Sequence, residues 1–387
     1  MTEKPEKTET VAAHGGRMSR EHFGAVNTPV YRASTILQPD LETLEANTAP
    51  YVYGRRGTPT SKSLEAVLSE LEGAAGTVLA PSGLGAISLA LLSVCSAGDH
   101  VLVTDSAYGP TRIFCDRVLA RYGIQTSYYA PTVGAGIAEL MKPNTRAVFC
   151  EAPGSLTFEM QDIPAIAAAA HDKGAAVLMD NTWATPVFFQ PLAHGVDLSI
   201  QSVTKYIGGH SDLMMGYVAA SAGHATGLRH THGDLGLSVG GDDCFLALRG
   251  LRTLPVRLSR HRETGLRLAR WIQARPEVAR VLYPALESDP GHALWKRDFT
   301  GACGLFGVVL KPVSPKALAA MMDGFEYFGM GWSWGGFESL IVPAHIHRSA
   351  QPFAADGPVI RIHVGLEDAD DLIADLEAGF DRLRNAS

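Results

Sequence analysis

Val196-Asp-Leu-Ser-Ile-Gln-Ser-Val-Thr-Lys-Tyr-Ile-Gly-Gly-His-Ser-Asp212 is the stretch from which the rest of the chain is read. A short apolar run ends in two hydroxyl residues, Ser202 and Thr204, set around Lys205, and glycines follow at 208 and 209. Among apolar and small neighbours an ammonium is poorly solvated, which lowers its pKa. A lysine that is neutral near physiological pH attacks aldehydes and forms a Schiff base. The hydroxyls and glycine N–H groups beside it suit a phosphate. On local chemistry alone, a lysine snorkelling from the end of a strand fits equally well.

A second segment separates the two readings. Ala175-Ala-Val-Leu-Met-Asp-Asn-Thr-Trp183 is an apolar run that stops at Asp180. An aldehyde and a phosphate on one small molecule describe pyridoxal 5'-phosphate (PLP). Its enzymes need a carboxylate against the pyridine nitrogen, because the protonated ring is the electron sink for a Cα carbanion. Alone, Asp180 reads as a cap or turn after a strand. Beside a lysine at the end of a neighbouring strand, it reads as the pyridinium partner.

The chain around these segments alternates helix and strand. Ser63–Glu72 has leucines at 64, 68 and 71, a helical period. Strands are expected at 77–80, 100–104, 125–129, 147–151, 176–179 and 198–201, with helices at 86–93, 111–121, 137–141 and 164–173 between them. Apolar strands alternating with helices predict an α/β fold with a large mixed, mostly parallel sheet covered on both faces. Ligands of such sheets collect at the carboxyl ends of the strands, where Ser82-Gly83, Asp105 to Tyr108, Glu151, Asp180-Asn181 and Ser202 to Lys205 fall. Beyond Arg249 a long basic amphipathic helix, 254–275, leads to strands at 304–310 and 359–364 and helices at 316–323 and 370–383, a smaller C-terminal α+β domain. The expected organisation is an N-terminal extension over 1–60, a large cofactor-binding domain over 61–250 and the C-terminal domain over 251–387.

Composition narrows the function. With 387 residues, 46% of them hydrophobic, the chain can bury a large core. A net charge of −7 with both signs interspersed leaves no basic surface for nucleic acid or acidic lipid. Apolar stretches are broken well short of membrane-spanning length. Met1 to Arg20 is polar, without the apolar run of a signal peptide, and reads as flexible. Five scattered cysteines without CxxC or Cys/His spacing point to reduced thiols, a cytoplasmic setting and no metal.

Other segments supply partners for the cofactor and its substrate. Pro81-Ser-Gly-Leu-Gly-Ala86 runs from strand to helix, so the N–H groups of Gly83 and Leu84 are free for an anion, although a plain tight turn reads the same way. Tyr108, in Ser106-Ala-Tyr-Gly-Pro110, presents a ring from a turn after a strand. In Tyr51-Val-Tyr-Gly-Arg-Arg-Gly-Thr-Pro-Thr60, Tyr53 and Arg55 suit phosphate capture, in a loop that is either solvated or reaches into a neighbouring subunit. Arg361 alternates with apolar residues on a strand, as a buried ion pair or a carboxylate clamp would. Ser333-Trp-Gly-Gly-Phe-Glu-Ser339 is a glycine-rich turn that lines the same pocket if it lies nearby.

These residues, with Arg249-Gly-Leu-Arg-Thr-Leu254, Trp295-Lys-Arg-Asp-Phe-Thr-Gly301 and Arg361-Ile-His-Val-Gly-Leu-Glu367, resemble the PLP-dependent Cys/Met-metabolism enzymes of fold type I from about residue 25 to 384. The cystathionine β-lyase branch is the most similar. The resemblance implies that Lys205 is the PLP lysine, that Asp180 pairs with the ring nitrogen and that Tyr108 stacks on the ring. Gly83, Leu84, Ser202 and Thr204 would hold the phosphate. Tyr53 and Arg55 would come from the adjacent subunit, in a dimer with shared active sites that pairs into a tetramer. Arg361 would bind the substrate carboxylate, with Ser333, Trp334 and Tyr53 completing the substrate site. Trp334, Trp332 and Arg56-Gly-Thr58 are similar to β-lyases, whereas Val203 departs mildly from the usual small residue.

The activity so implied is carbon–sulfur β-elimination in methionine biosynthesis. An amino-acid thioether, L-cystathionine or a related cysteine S-conjugate, would yield a thiol, pyruvate and ammonia. Lys205 would remove the Cα proton and later protonate the departing thiol. Tyr108 would take the substrate amine proton where its phenolate is favoured by the cofactor and nearby cations. The alternatives are a member of the same family acting at Cγ and a PLP-bound regulatory protein with residual lyase activity. Racemisation is a side reaction of the same carbanion. A dinucleotide fingerprint is lacking, which argues against a nicotinamide dehydrogenase.

Overall fold

The computed structural model describes residues 7–386, so the first six residues of the expected N-terminal extension lie outside it. Eleven strands, β1 (Gly76–Ala80), β2 (His100–Thr104), β3 (Gln125–Tyr129), β4 (Thr145–Glu151), β5 (Ala176–Asp180), β6 (Leu198–Ser202), β7 (Gly216–Ala220), β8 (Val278–Leu282), β9 (Leu305–Leu310), β10 (Leu340–Pro343) and β11 (Val359–His363), form two sheets among the described residues. The larger has the order β1-β7-β6-β5-β4-β2-β3, and only β7 runs against its neighbours. Apart from the edge strand β3, its strands are largely buried runs such as Val101-Leu-Val103 and Val177-Leu-Met179, as expected of a sheet covered on both faces. The smaller sheet, β10-β11-β9-β8, is antiparallel throughout. This is the expected α/β architecture with a large mixed, mostly parallel sheet and a smaller α+β unit.

Eight strand positions match the expected ones to within two residues. β7, β8 and β10 were not anticipated. β7 is short and rich in alanine and glycine, and it returns from the Lys205 segment without a recognisable hairpin turn. β10 is four residues long and ends in Pro343, a residue confined to strand ends and sheet edges because it cannot donate to a ladder. The helix expected over 111–121 is broken into Gly109–Phe114, a single π turn at Cys115–Leu119 and a 3-10 turn, with Gly123 in a left-handed conformation closing it.

The N-terminal segment is not wholly flexible, contrary to expectation. Thr8–His14 is a helix that buries Val11 and Ala12, and Arg252 donates to Ala12 O and Gly15 O at 2.8 and 3.0 Å. Three adjacent apolar residues, Val11, Ala12 and Ala13, are too few to mark a helix by periodicity. The long helix Leu254–Gln273 forms as expected, and its buried Arg257 donates to Tyr206 O at 2.6 Å and Gly250 O at 2.7 Å. It thereby anchors the segment that follows Lys205.

One buried acid gives the large sheet a pH-dependent stability. Glu72, at the end of the helix Pro59–Glu72, accepts the Tyr217 hydroxyl at 2.7 Å, yet burial pushes its carboxyl up to about 7. The unfolded chain ionises this group from its ordinary value of 4.5 upward, while the native state resists until about 7. The native state therefore loses stability as pH rises through that window, by about 3 kcal/mol for one such shift. Glu72→Gln is expected to raise Tm relative to wild type more at pH 8 than at pH 5 in paired thermal melts. An equal difference at both pH values would show that Glu72 is ionised in the native protein.

Candidate active site

The parallel strands end on one side of the large sheet and bring their last residues together there. Glu151 and Asp180 are register partners on β4 and β5, and Ser202 closes β6 opposite Gly216. Lys205 lies three residues beyond β6, in a tight turn where Lys205 N–H donates to Ser202 O and Gly209 N–H to Lys205 O. Its Nζ donates to Ser333 Oγ at 2.6 Å and sits 5.2 Å from the Trp334 ring centroid. Burial first, then the Arg361 cation, lowers its pKa to about 8, against the pull of Asp180. The lysine expected from its apolar setting is thus depressed as predicted.

Asp180 is held by the residue two places on. Its Oδ1 accepts the Thr182 N–H at 3.0 Å and the Thr182 hydroxyl at 2.6 Å, while Oδ2 makes no protein hydrogen bond. Thr182 Oγ1 in turn accepts the Ser202 N–H at 2.9 Å, tying the ends of β5 and β6 together. Burial raises the Asp180 carboxyl, and Thr182 and Lys205 draw it back. A cationic ring nitrogen at the free Oδ2 would supply the missing counter-charge.

Phosphate donors are arranged at the start of the helix Gly83–Val94. Ser82 caps it by accepting the Gly85 N–H, which leaves the Gly83 and Leu84 N–H groups without protein partners. A Cβ added at Gly83 would lie 2.7 Å from Ser202 Oγ, so only glycine permits this approach. Ser202 Oγ makes no protein hydrogen bond. Thr204 is different. Its hydroxyl donates to Met215 O and accepts from Met215 N, so it must release that carbonyl to donate to a phosphate. Unpaired amides, a free hydroxyl, a depressed lysine and an open carboxylate oxygen together fit PLP.

Tyr108 stands at the start of the helix Gly109–Phe114 with 44% of its surface exposed. Its N–H donates to Glu151 Oε2 at 2.7 Å. Burial, Glu151 and Asp180 raise the phenol pKa, and Arg361 opposes them. The protein's own charges therefore favour the phenol, the reverse of the condition on which Tyr108 was expected to act as an amine base. Asp105, expected at the same end of the sheet, is buried instead in structural work. It accepts the N–H groups of Ser349, Ala350 and Gln351 and pairs with Arg112 at 2.6 Å, fastening the 349–351 loop to β2.

From the smaller sheet, Arg361 donates through Nη2 to Ser333 O at 2.8 Å and is only 8% exposed. Nε is buried without a partner, and Nη1 makes no protein hydrogen bond. Such an incompletely used guanidinium suits a carboxylate ligand. Ser333, Trp334, Lys205 and Arg361 are thus brought together. Tyr53 and Arg55 are not: Arg55 donates to Gly233 O, and no hydrogen bond, ion pair or ring contact joins either residue to Lys205, Asp180 or Arg361 within the chain. Thr182 and Glu151 were given no role from sequence. A threonine two residues after a strand-ending Asp, spaced for an Asx turn, is the signal that marks the first.

The family model described as Cys/Met metabolism PLP-dependent enzyme matches residues 9–381. Cystathionine beta-lyase MetC of Escherichia coli is 44% identical over 97% of this chain and 99% of that protein. L-alanine/L-glutamate racemase of Wolbachia pipientis is 38% identical over 97% of this chain and 98% of that one. A solved cystathionine gamma synthase from Xanthomonas oryzae, in complex with aminoacrylate and cysteine, superposes with a TM-score of 0.92 at 32% identity, covering 99% of this chain and 100% of that one. With a family match over residues 9–381 and relatives 38% and 44% identical over 97% of its length, this chain belongs to the Cys/Met metabolism PLP-dependent enzymes.

Proposed function

We propose that this protein is a carbon–sulfur β-lyase that cleaves L-cystathionine and related cysteine S-conjugates to a thiol, pyruvate and ammonia. The observation that carries the reading is the pairing of Lys205 with Ser333 beside Trp334. It supplies one depressed amine that can take a proton at Cα and return it to the departing sulfur. Bound PLP supplies the electron sink that makes the Cα proton removable. Asp180, through Oδ2, would hold the ring nitrogen proton; Gly83, Leu84 and Ser202 would bind the phosphate, and Thr204 would join them if its hydroxyl released Met215 O. Tyr108 would cover the ring. Arg361 takes the α-carboxylate and thereby turns Cα toward Lys205. Likeness to the Escherichia coli β-lyase supports the choice of Cβ over Cγ.

Purified, PLP-loaded protein incubated with L-cystathionine is expected to release pyruvate with stoichiometric homocysteine. A dominant 2-oxobutyrate signal would assign cleavage at Cγ instead. Likeness to the Wolbachia racemase supports a slower second activity, reprotonation of the carbanion from its other face, which deuterium uptake with loss of optical rotation in L-alanine would report.

Tyr53 and Arg55, remote from Lys205 in their own chain, serve the neighbouring subunit's cofactor in this reading. The exposed Phe23, Val26, Leu37 and Leu41 support burial of the N-terminal segment between subunits, in a dimer that pairs into a tetramer. A mixture of K205A and R55A chains, each inactive as a homodimer, is then expected to regain about a quarter of wild-type activity, since half the dimers are mixed and carry one intact site. No recovery after refolding together would place Arg55 in its own subunit's chemistry. Five free, buried cysteines support a cytoplasmic setting.

A further inference from the structure

Behind the cleft, β11 grips the 333–336 turn at two points. Arg361 donates to Ser333 O, and two residues along the same face His363, fully buried, accepts the Gly335 N–H at Nε2, 3.1 Å away. Accepting there requires a bare Nε2, which places the ring proton on Nδ1, 3.5 Å from the Tyr206 hydroxyl oxygen. That oxygen also receives the Gly304 N–H at 3.1 Å. The other tautomer would donate to Gly336 O, 3.2 Å away, and set the Gly335 N–H against a second hydrogen. The rings of Tyr206 and His261 close around the imidazole at 5.8 and 5.4 Å. Burial, His261 and the nearby Arg361 and Lys205 cations keep it neutral, far below the usual histidine range.

The turn so held is one the backbone resists. Ser333 has φ +81°, a region costly to any residue with a Cβ. Gly335 has φ +89°, and a Cβ there would lie 2.8 Å from the Lys205 carbonyl carbon. Strain of this kind persists only where surrounding contacts over-determine it. Here it brings Ser333 Oγ to Lys205 Nζ and Ser333 O to Arg361.

We infer that His363 is a positioning residue for the reactive lysine: by accepting the Gly335 N–H it holds the strained turn whose serine orients both Lys205 and Arg361. The inference rests on Lys205 being the cofactor lysine, and it needs no choice between β- and γ-cleavage. The residue stands one place from Arg361 in the alternation of β11, and nothing in its apolar neighbours distinguishes it from a core histidine.

The test uses His363→Leu, His363→Gln and Tyr206→Phe. The rate of PLP uptake by apoprotein, followed by absorbance across pH, reads the ionisation of Lys205, depressed to about 8 in the wild type. In H363L the turn relaxes and the ammonium is better solvated, so the midpoint is expected to rise by about one unit. In the holoenzyme kcat is expected to fall about 10- to 100-fold with a several-fold rise in KM. H363Q, whose amide oxygen replaces Nε2 as acceptor, is expected to restore the midpoint and most of kcat. Y206F, which removes the acceptor for the Nδ1 proton, shifts the midpoint less in the same direction. A lowered Tm in H363L with unchanged midpoint, kcat and KM would overturn the inference, and so would H363Q matching H363L. Should H363L fail to fold, Y206F decides: a raised midpoint supports the role and an unchanged one rejects it. Because PLP uptake needs no thioether, a protein that shows the shift but makes no pyruvate overturns only the β-lyase reading.

Discussion

Lys205→Ala is expected to lower kcat for pyruvate formation from L-cystathionine by about 10⁴-fold or more, since it removes the nucleophile and the general acid–base together. Both roles depend on the same physical fact. The amine is taken out of water by Trp334 and the 333–336 turn and sits near Arg361, so its pKa is depressed to about 8 and a usable fraction is neutral at physiological pH. Alanine leaves the Ser333 hydroxyl unpaired and takes a cation from the neighbourhood of Asp180, which still keeps its two bonds from Thr182, so the variant should fold and still bind PLP through the phosphate cradle. Stopped-flow absorbance with saturating substrate would show a fast spectral change on binding and no turnover. Pyruvate release at the wild-type rate would remove Lys205 from the mechanism.

Arg361→Ala is the second large effect. Hydrogen bonds to a charged partner contribute about 1.5–3 kcal/mol each, so loss of the carboxylate clamp is expected to cost about 3–4 kcal/mol, ~10²–10³-fold in kcat/KM. The cost divides between KM and kcat, because the guanidinium both binds the α-carboxylate and turns Cα toward Lys205. Removing its charge also relieves the repulsion that helps depress Lys205, so the lysine's pKa rises from about 8. Arg361→Lys keeps a charge but not the fork, and is expected to recover only a small part of the loss. Steady-state kinetics with L-cystathionine and with its analogue lacking the α-carboxylate separate these contributions. If wild type and R361A discriminate equally between the two substrates, the carboxylate binds elsewhere.

Much of this candidate site is legible in the sequence alone. Lys205 and Asp180 were distinguished by apolar runs that end abruptly in an ionisable side chain, a pattern that burial at a strand terminus explains. Gly83 was distinguished by its place between a strand and a helix, and the 2.7 Å separation of its virtual Cβ from Ser202 Oγ gives the reason for glycine there. Asp105 was the misleading case. It has the same position at a strand end as Asp180, yet it is consumed by three N–H groups of the 349–351 loop, a contact more than 240 residues away in sequence. The Thr204 hydroxyl, expected on a phosphate, is shared with the backbone of Met215 on the approach to β7, a strand that had not been recognised.

By itself, then, the sequence determined the class of fold and picked out Lys205 and Asp180 as candidates, because hydrophobic periodicity and interruptions in it are local properties of the chain. Only the tertiary structure decided which polar groups remain free for a ligand. Whether a carboxylate, hydroxyl or imidazole is available depends on partners supplied by distant segments, as with Asp105 and the 349–351 loop or His363 and Gly335. A buried polar group is paired wherever the fold permits, and the few left unpaired beside Lys205, Oδ2 of Asp180, the Gly83 and Leu84 amides and Nε and Nη1 of Arg361, mark the candidate site.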